Sequence, residues 1–175
     1  ALRHLLDTGS VRPAFVGSEQ AIVQVAHRLA GARTALEEAD GGQLMAFEMP
    51  TMSAEAGRLA GEQILALSPH ERPDAVFAAN DLLALGLLQA FTHGGVRVPD
   101  DIALIGYDDI YFAASSAIPL SSIRQPSWEM GRAAAELLMS EIDGGTPDEF
   151  QNVVFQPELV VRQSTRRNNT ATSPG

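Results

Sequence analysis

Cysteine is absent from this chain of 175 residues. That excludes disulfides and thiolate metal sites and fits a cytoplasmic protein. Positive charge is scarce: 12 Lys plus Arg stand against 22 Asp plus Glu, a formal net charge of −10. So acidic a surface repels phosphate backbones and gives no footprint for direct nucleic-acid binding. No apolar run approaches the roughly 20 residues a bilayer crossing needs, so no membrane role is expected. The signatures of several chemistries are also missing. There is no Gly-x-Ser-x-Gly, no Walker-type phosphate loop, and no Rossmann glycine fingerprint after any predicted strand. His4, His27, His70 and His93 are scattered without metal-ligand spacing. The pairs Asp100-Asp101 and Asp108-Asp109 could suggest acid–base work or a metal, but neighbours at a strand end point opposite ways. No metal, no cofactor and no enzymatic activity is expected.

What is present suffices for a core: 45% of residues are apolar and 19% charged, which argues against general disorder. The apolar period switches repeatedly between two and 3.6 residues. Strands are predicted at 13–17, 43–49, 74–79, 102–106, 120–124, 153–155 and 158–162. Helices are predicted at 21–39, 53–67, 81–91 and 126–142, the last with Pro126 at its start and Gly144-Gly145 beyond its end. Such alternation implies a mostly parallel sheet with helices on both faces. Ala1 to Gly9 reads as the end of a helix with a glycine stop, so sequence upstream of Ala1 is expected. Residues 166–175 are polar and read as a disordered tail. The helix at 81–91 is apolar nearly all round, through Leu82, Leu83, Leu85, Leu87, Leu88 and Phe91. It must be covered on two sides, by the sheet and by either a second layer of this chain or a partner subunit.

In an open α/β sheet, ligands sit beyond the carboxyl ends of the strands. The positions there are Gly17-Ser18-Glu19, Pro50-Thr51-Met52, Asn80-Asp81, Tyr107-Asp108-Asp109 and Gln125. Several combine donors and acceptors, as a polyhydroxyl or purine-like ligand requires. Each also has a plainer reading. Asn80 or Asp81 caps the next helix, Asp108-Asp109 makes a turn, Arg28 is a solvated helix charge, and Gln125 is a linker residue.

Five segments resemble the LacI/GalR family of bacterial transcription regulators. They are Arg28 to Gly31, Arg72 to Asp81 with Leu85-Gly86, Val98 to Asp109, Pro119 to Pro126 with Met130-Gly131, and Pro157 to Thr165. They occur in the family's order and span nearly the whole chain. The resemblance implies a periplasmic-binding-protein-like type I fold, with two Rossmann-like subdomains, parallel sheets and a ligand cleft between them. Residues 1–9 and 125–152 would be the remnant of the N-terminal subdomain. Residues 10–124 and 153–165 would form the C-terminal, effector-binding one. The helix-turn-helix that reads operator DNA would lie upstream. Carried over, the ligand contacts fall on Arg28, Asn80, Asp108 and Gln125. The aromatic platform falls on Met52, which is not aromatic and stacks a ring less specifically. A homodimer is implied as well, through Leu83 and Leu87 of the apolar helix and Phe112 and Ile118 of the following loop. The expected function is effector sensing, with a small molecule, a sugar or a purine-like ligand, controlling DNA binding by the missing head. The alternative is a type I periplasmic solute-binding protein.

Overall fold

The strand Pro13–Gly17 (β1) is buried along its whole length, as an inner parallel strand covered on both faces must be. The computed structural model describes residues 1–18, 22–142 and 152–167. Around β1 it arranges Met45–Glu48 (β2), Ala75–Ala78 (β3), Ala103–Asp108 (β4), Ser121–Arg124 (β5) and Glu158–Val160 (β6) in the order β2-β1-β3-β4-β5-β6. All neighbours are parallel except β5 and β6. Phe15 lies opposite Phe77 in the β1–β3 register, and the two rings meet edge to face at 5.3 Å.

Right-handed crossovers place the helices. The step from β1 to β2 runs one way along the sheet and carries Val23–Glu38 (α2) on one face. The steps from β2 to β3 and from β3 to β4 run the other way. They carry Ala54–Ala66 (α3) and Asp81–His93 (α4) on the opposite face. The stripe predicted for α2 is realised in buried Val25, Leu29, Ala32 and Leu36, while Ile22 is exposed. The Ser53 hydroxyl accepts a hydrogen bond from the amide of Ala56 and caps α3. The Asn80 side-chain carbonyl accepts from the amide of Leu83 and caps α4. Each cap contributes about 1 kcal/mol. No helix among the described residues is long and apolar enough to cross a membrane.

The surplus apolar surface of α4 is used inside this chain. The sheet takes one side, and α3 covers the other at backbone contact: a Cβ on Gly86 would sit 1.9 Å from the Ala54 carbonyl oxygen. Leu83 and Leu87, expected at a subunit interface, are 0% exposed. They are core residues and no partner can reach them.

Other expectations shift. No strand forms at 153–155; Val153 and Val154 are exposed, and β6 instead pairs antiparallel with β5 through Ser122 and Val160. The helix Leu2–Asp7 (α1) packs on α2 and β1. Leu2 and Leu5, within the 1–9 segment given above to the other subdomain, are buried in the same core as the sheet. Arg167, expected in a disordered tail, is held because its guanidinium donates to the carbonyl of Asp74 at 2.6 Å. Glu19, Ala21, the Gly144-Gly145 stop and residues 168–175 of the tail lie outside the described residues.

Candidate functional site

The carboxyl ends of β1, β3, β4 and β5 open on one rim, and a chain of contacts runs along it. The loop after β2 brings the Met52 carbonyl to Asn80, whose side-chain amide donates to it at 3.0 Å. The peptide just before Asn80 is the next link: Arg28, on α2, donates to the Ala79 carbonyl at 2.6 Å. The Arg28 guanidinium also lies over the Tyr107 ring, 3.7 Å from its centroid, a cation–π contact that fixes its plane. Its other terminal nitrogen stands 3.8 Å from a carboxylate oxygen of Asp108. The Gln125 amide donates to that same oxygen at 2.7 Å. Arg28, Met52, Asn80, Asp108 and Gln125 are thus brought to one place. Asn80 is also the helix cap, so the plain reading and the site reading both hold for it.

Asp108 and Asp109 do point different ways. Asp108 turns to Arg28 and Gln125. Asp109 turns to Arg124 at 2.7 Å and Arg162 at 2.6 Å. Both have positive φ, +104° and +52°, a conformation costing on the order of 1–3 kcal/mol each outside glycine. It persists because the surroundings over-determine it. The Asp109 amide donates to the Ser122 hydroxyl, and the Ile110 amide to Asp81.

Burial sets the electrostatics. It pushes the Asp108 carboxyl above its ordinary value, and the nearby Arg28 and Gln125 only partly offset this. Burial also pushes Asp81 up to about 6, against hydrogen bonds from Ser122 and Ile110, and the charges of Asp108 and Asp109 add to the rise. For Asp109 burial works the same way but loses: Arg162 and Arg124 hold that carboxyl below the usual range.

A recess of about 460 Å³ lies against the rim, lined by Asp108, Gln125, Trp128 and Glu158 among others. That is the size of a small-molecule pocket. This recess offers the Arg124 guanidinium, carboxylates and the primary amides of Gln125 and Gln156, while Arg28 and Tyr107 line a neighbouring recess of about 470 Å³. These groups can grip hydroxyls or ring nitrogens through paired hydrogen bonds.

A family model described as a periplasmic binding protein-like domain matches residues 2–165. The chain belongs to that family. Its relatives are transcription regulators. The HTH-type transcriptional repressor PurR of Vibrio campbellii is 34% identical over 172 residues, covering 97% of this chain and 50% of the relative. The solved complex of the transcriptional regulator CelR with cellobiose superposes with a TM-score of 0.84 at 35% identity, covering 94% of this chain and 50% of that one. A LacI family transcriptional regulator from Enterococcus faecium with bound ribose gives 0.84 at 28% identity, covering 93% and 59%. The chain thus spans about half the length of the curated relatives it matches. The six-stranded, mostly parallel α/β sheet is the architecture of these type I periplasmic-binding-protein-like neighbours.

On the surface of this periplasmic-binding-protein-like domain, the residues expected at a subunit interface divide. Leu83 and Leu87 are inside. Phe112 is 64% exposed, its neighbour Tyr111 82%, and Ile118 is half-buried. Tyr111 and Phe112 begin a short helix, Tyr111–Ser115 (α5), where the sequence suggested only a loop. Residues that the sequence did not bring forward also enter the site. Trp128, the single tryptophan, is 74% exposed on the recess; it lies in the first turn of Ser127–Ile142 (α6), where periodicity carries no mark of a binding wall. Arg162 lies inside a recognised segment, but its partners Asp109 and the Leu120 carbonyl come from other elements.

Proposed function

We propose that this chain is the effector-sensing region of a LacI-type transcription regulator. The observation that carries the reading is the unbroken contact chain from Met52 through Asn80 and Arg28 to Asp108 and Gln125. Such a row of polar groups at strand ends is where an open α/β fold takes its ligand. The ligand class is a sugar, as the named cellobiose and ribose complexes of relatives suggest. Arg28 offers a fork to ligand oxygens, Asp108 accepts from hydroxyls, and Asn80 and Gln125 do both.

The rim is half of a cleft. No residue of α6 is buried, and Trp128, Met130, Leu138, Met139 and Ile142 are exposed. An amphipathic helix left bare in this way is the seat of a second lobe. α6 and the approach to it from Gln125 therefore belong to that lobe, and residues 1–124 with the segment around β6 form the lobe described here. Effector held between the two lobes favours one closure, and closure sets the spacing of DNA-binding heads. Such coupling is typically about 1–3 kcal/mol, roughly 5–150-fold in DNA affinity.

The test uses the full-length protein on its own promoter DNA, with cellobiose, ribose and purine bases as probes. Arg28→Ala and Asp108→Ala should lose the effector response and keep DNA binding. Normal release from DNA in both variants would refute the assignment. Binding of effector to this chain should also change the fluorescence of Trp128, the one indole of this sequence.

We infer in addition a homodimer that seats Phe112 and Ile118, with the exposed Tyr111 ring against Phe112. Phe112→Ser should raise the dimer dissociation constant by tenfold or more in sedimentation of the full-length protein; an unchanged constant places the interface elsewhere.

A further inference from the structure

Asp81 is 0% exposed, the most thoroughly buried charge-bearing side chain among the described residues. It is not the cap of α4, since Asn80 is. Both of its oxygens are committed elsewhere. One accepts from the Ser122 hydroxyl at 2.7 Å and the other from the Ile110 amide at 2.9 Å. The Ser122 hydroxyl in turn accepts from the Asp109 amide at 3.1 Å. Gly106 permits this approach: a Cβ there would sit 2.1 Å from the Asp81 carboxylate. One side chain therefore governs, directly or through one hydroxyl, the two amides that follow Asp108.

We propose that Asp81 is a positioning residue, holding Asp108 and Asp109 in the positive-φ turn that aims the Asp108 carboxylate at Arg28 and Gln125. The same bond to Ile110 fixes the start of α5, because Ile110 is its N-cap and the exposed pair Tyr111 and Phe112 follows at once. Asp81 thus stands between the ligand rim and the exposed aromatic surface. The role matters for sensing only if Asp108 contacts effector, so it rests on the function proposed above.

A carboxylate is a costly way to fill this position. Desolvation disfavours its charged form, and an apolar residue would pack without that penalty. What the carboxylate supplies is two acceptors at fixed positions, at the amino end of α4, where the helix dipole favours an anion. The charged groups around it are Asp108 and Asp109 from the end of β4. Beyond them stand Arg28, opposite Asp108, and Arg124 and Arg162, opposite Asp109.

The experiment needs no ligand. In NMR spectra of this chain, Asp81→Ala and Ser122→Ala should each move the side-chain carboxyl resonance of Asp108. Hydrogen exchange should also speed up tenfold or more at the amide whose acceptor each removes: Asp109 in Ser122→Ala and Ile110 in Asp81→Ala. The amides of β1 and β3 should keep their protection. Asp81→Asn retains an acceptor for Ile110 and should restore protection there. In the wild type the Ile110 amide shift should titrate with a midpoint near 6, and in Asp81→Asn that step should vanish. Wild-type Asp108 resonances in both Asp81→Ala and Ser122→Ala, with the strands still protected, would overturn the proposal. So would global unfolding of Asp81→Ala with a silent Ser122→Ala, which assigns Asp81 to stability alone. Effector titration of the full-length protein tests the sensing role separately, so either reading can fail without the other.

Discussion

Gly86→Ala is expected to destabilise the folded chain by about 3 kcal/mol or more, although alanine is the better helix former. The new Cβ would lie 1.9 Å from the Ala54 carbonyl oxygen and 2.6 Å from the Arg58 amide nitrogen. Both are backbone atoms of α3, so no side chain can swing aside; the helices must separate. Overpacking of a closed core costs about 1–3 kcal/mol and sometimes more, and a clash with backbone belongs at the upper end. The gain in helix propensity on replacing glycine is only about 1 kcal/mol, so the clash wins. Gly57 faces α4 in the same way, with its Cβ position 2.1 Å from the Leu83 carbonyl oxygen. For a chain of this size the loss corresponds to a fall in Tm of about 6–12 °C. Because both alanines would open one gap, the double variant should lose less than the sum of the two. A Gly86→Ala protein melting within 2 °C of the wild type, roughly the value of a surface change, would show that α3 and α4 are not in backbone contact. The separation also reaches the rim, since Asn80 and Asp81 ride on the first turn of α4.

Periodicity made the order of strands and helices legible, because a strand buried on both faces and a helix with one apolar stripe leave different spacings. It carried no information on pairing. The β6 segment reads as one more strand, and nothing local to residues 158–162 says that it runs antiparallel to β5. Nor could the pattern of α4 say what covers its second side. The alternatives were a layer of this chain or another subunit, and the choice lies in Gly57 and Gly61, small residues on a different helix that make room for Leu83, Leu87 and Ala90. The rim was legible by position, since strand ends can be counted from strands. Its internal wiring was not. Asp108-Asp109 looks like any acidic turn until Arg28, Gln125, Arg124 and Arg162 are placed around it, and they come from α2, from the end of β5 and from the residues just past β6.

That wiring predicts opposite pH behaviour for two acids that share Ser122 as a neighbour. The Asp109 side chain is 5% exposed and joins Arg124 to Arg162, which also donates to the Leu120 carbonyl. Asp109→Ala leaves the Arg162 charge half-buried without its partner, and should cost about 3 kcal/mol at pH 7, in the range found for breaking such pairs. The folded carboxyl lies below its ordinary value, so the unfolded chain binds more protons in that window. The stabilisation by Asp109 is therefore complete above the ordinary aspartate range, near pH 4, and is lost as pH falls through the folded value. Asp81 is the reverse. Its folded value is raised to about 6, so the folded chain holds the extra proton between about pH 4 and 6, and its charge opposes folding above that. Asp81→Asn removes this term. The variant should gain stability relative to the wild type as pH rises from 4 to 7, by up to about 3 kcal/mol at 1.36 kcal/mol per unit, while Asp109→Ala should lose most at pH 7 and least at pH 3. Melting curves of both variants at pH 3, 4.5, 6 and 7.5 separate the two signs. If both variants tracked the wild type at a constant offset across that series, neither carboxylate would have the environment described. Opposite slopes would mean that the turn presenting Asp108 is held from one side by an ion pair that stabilises the fold and from the other by a carboxylate that strains it.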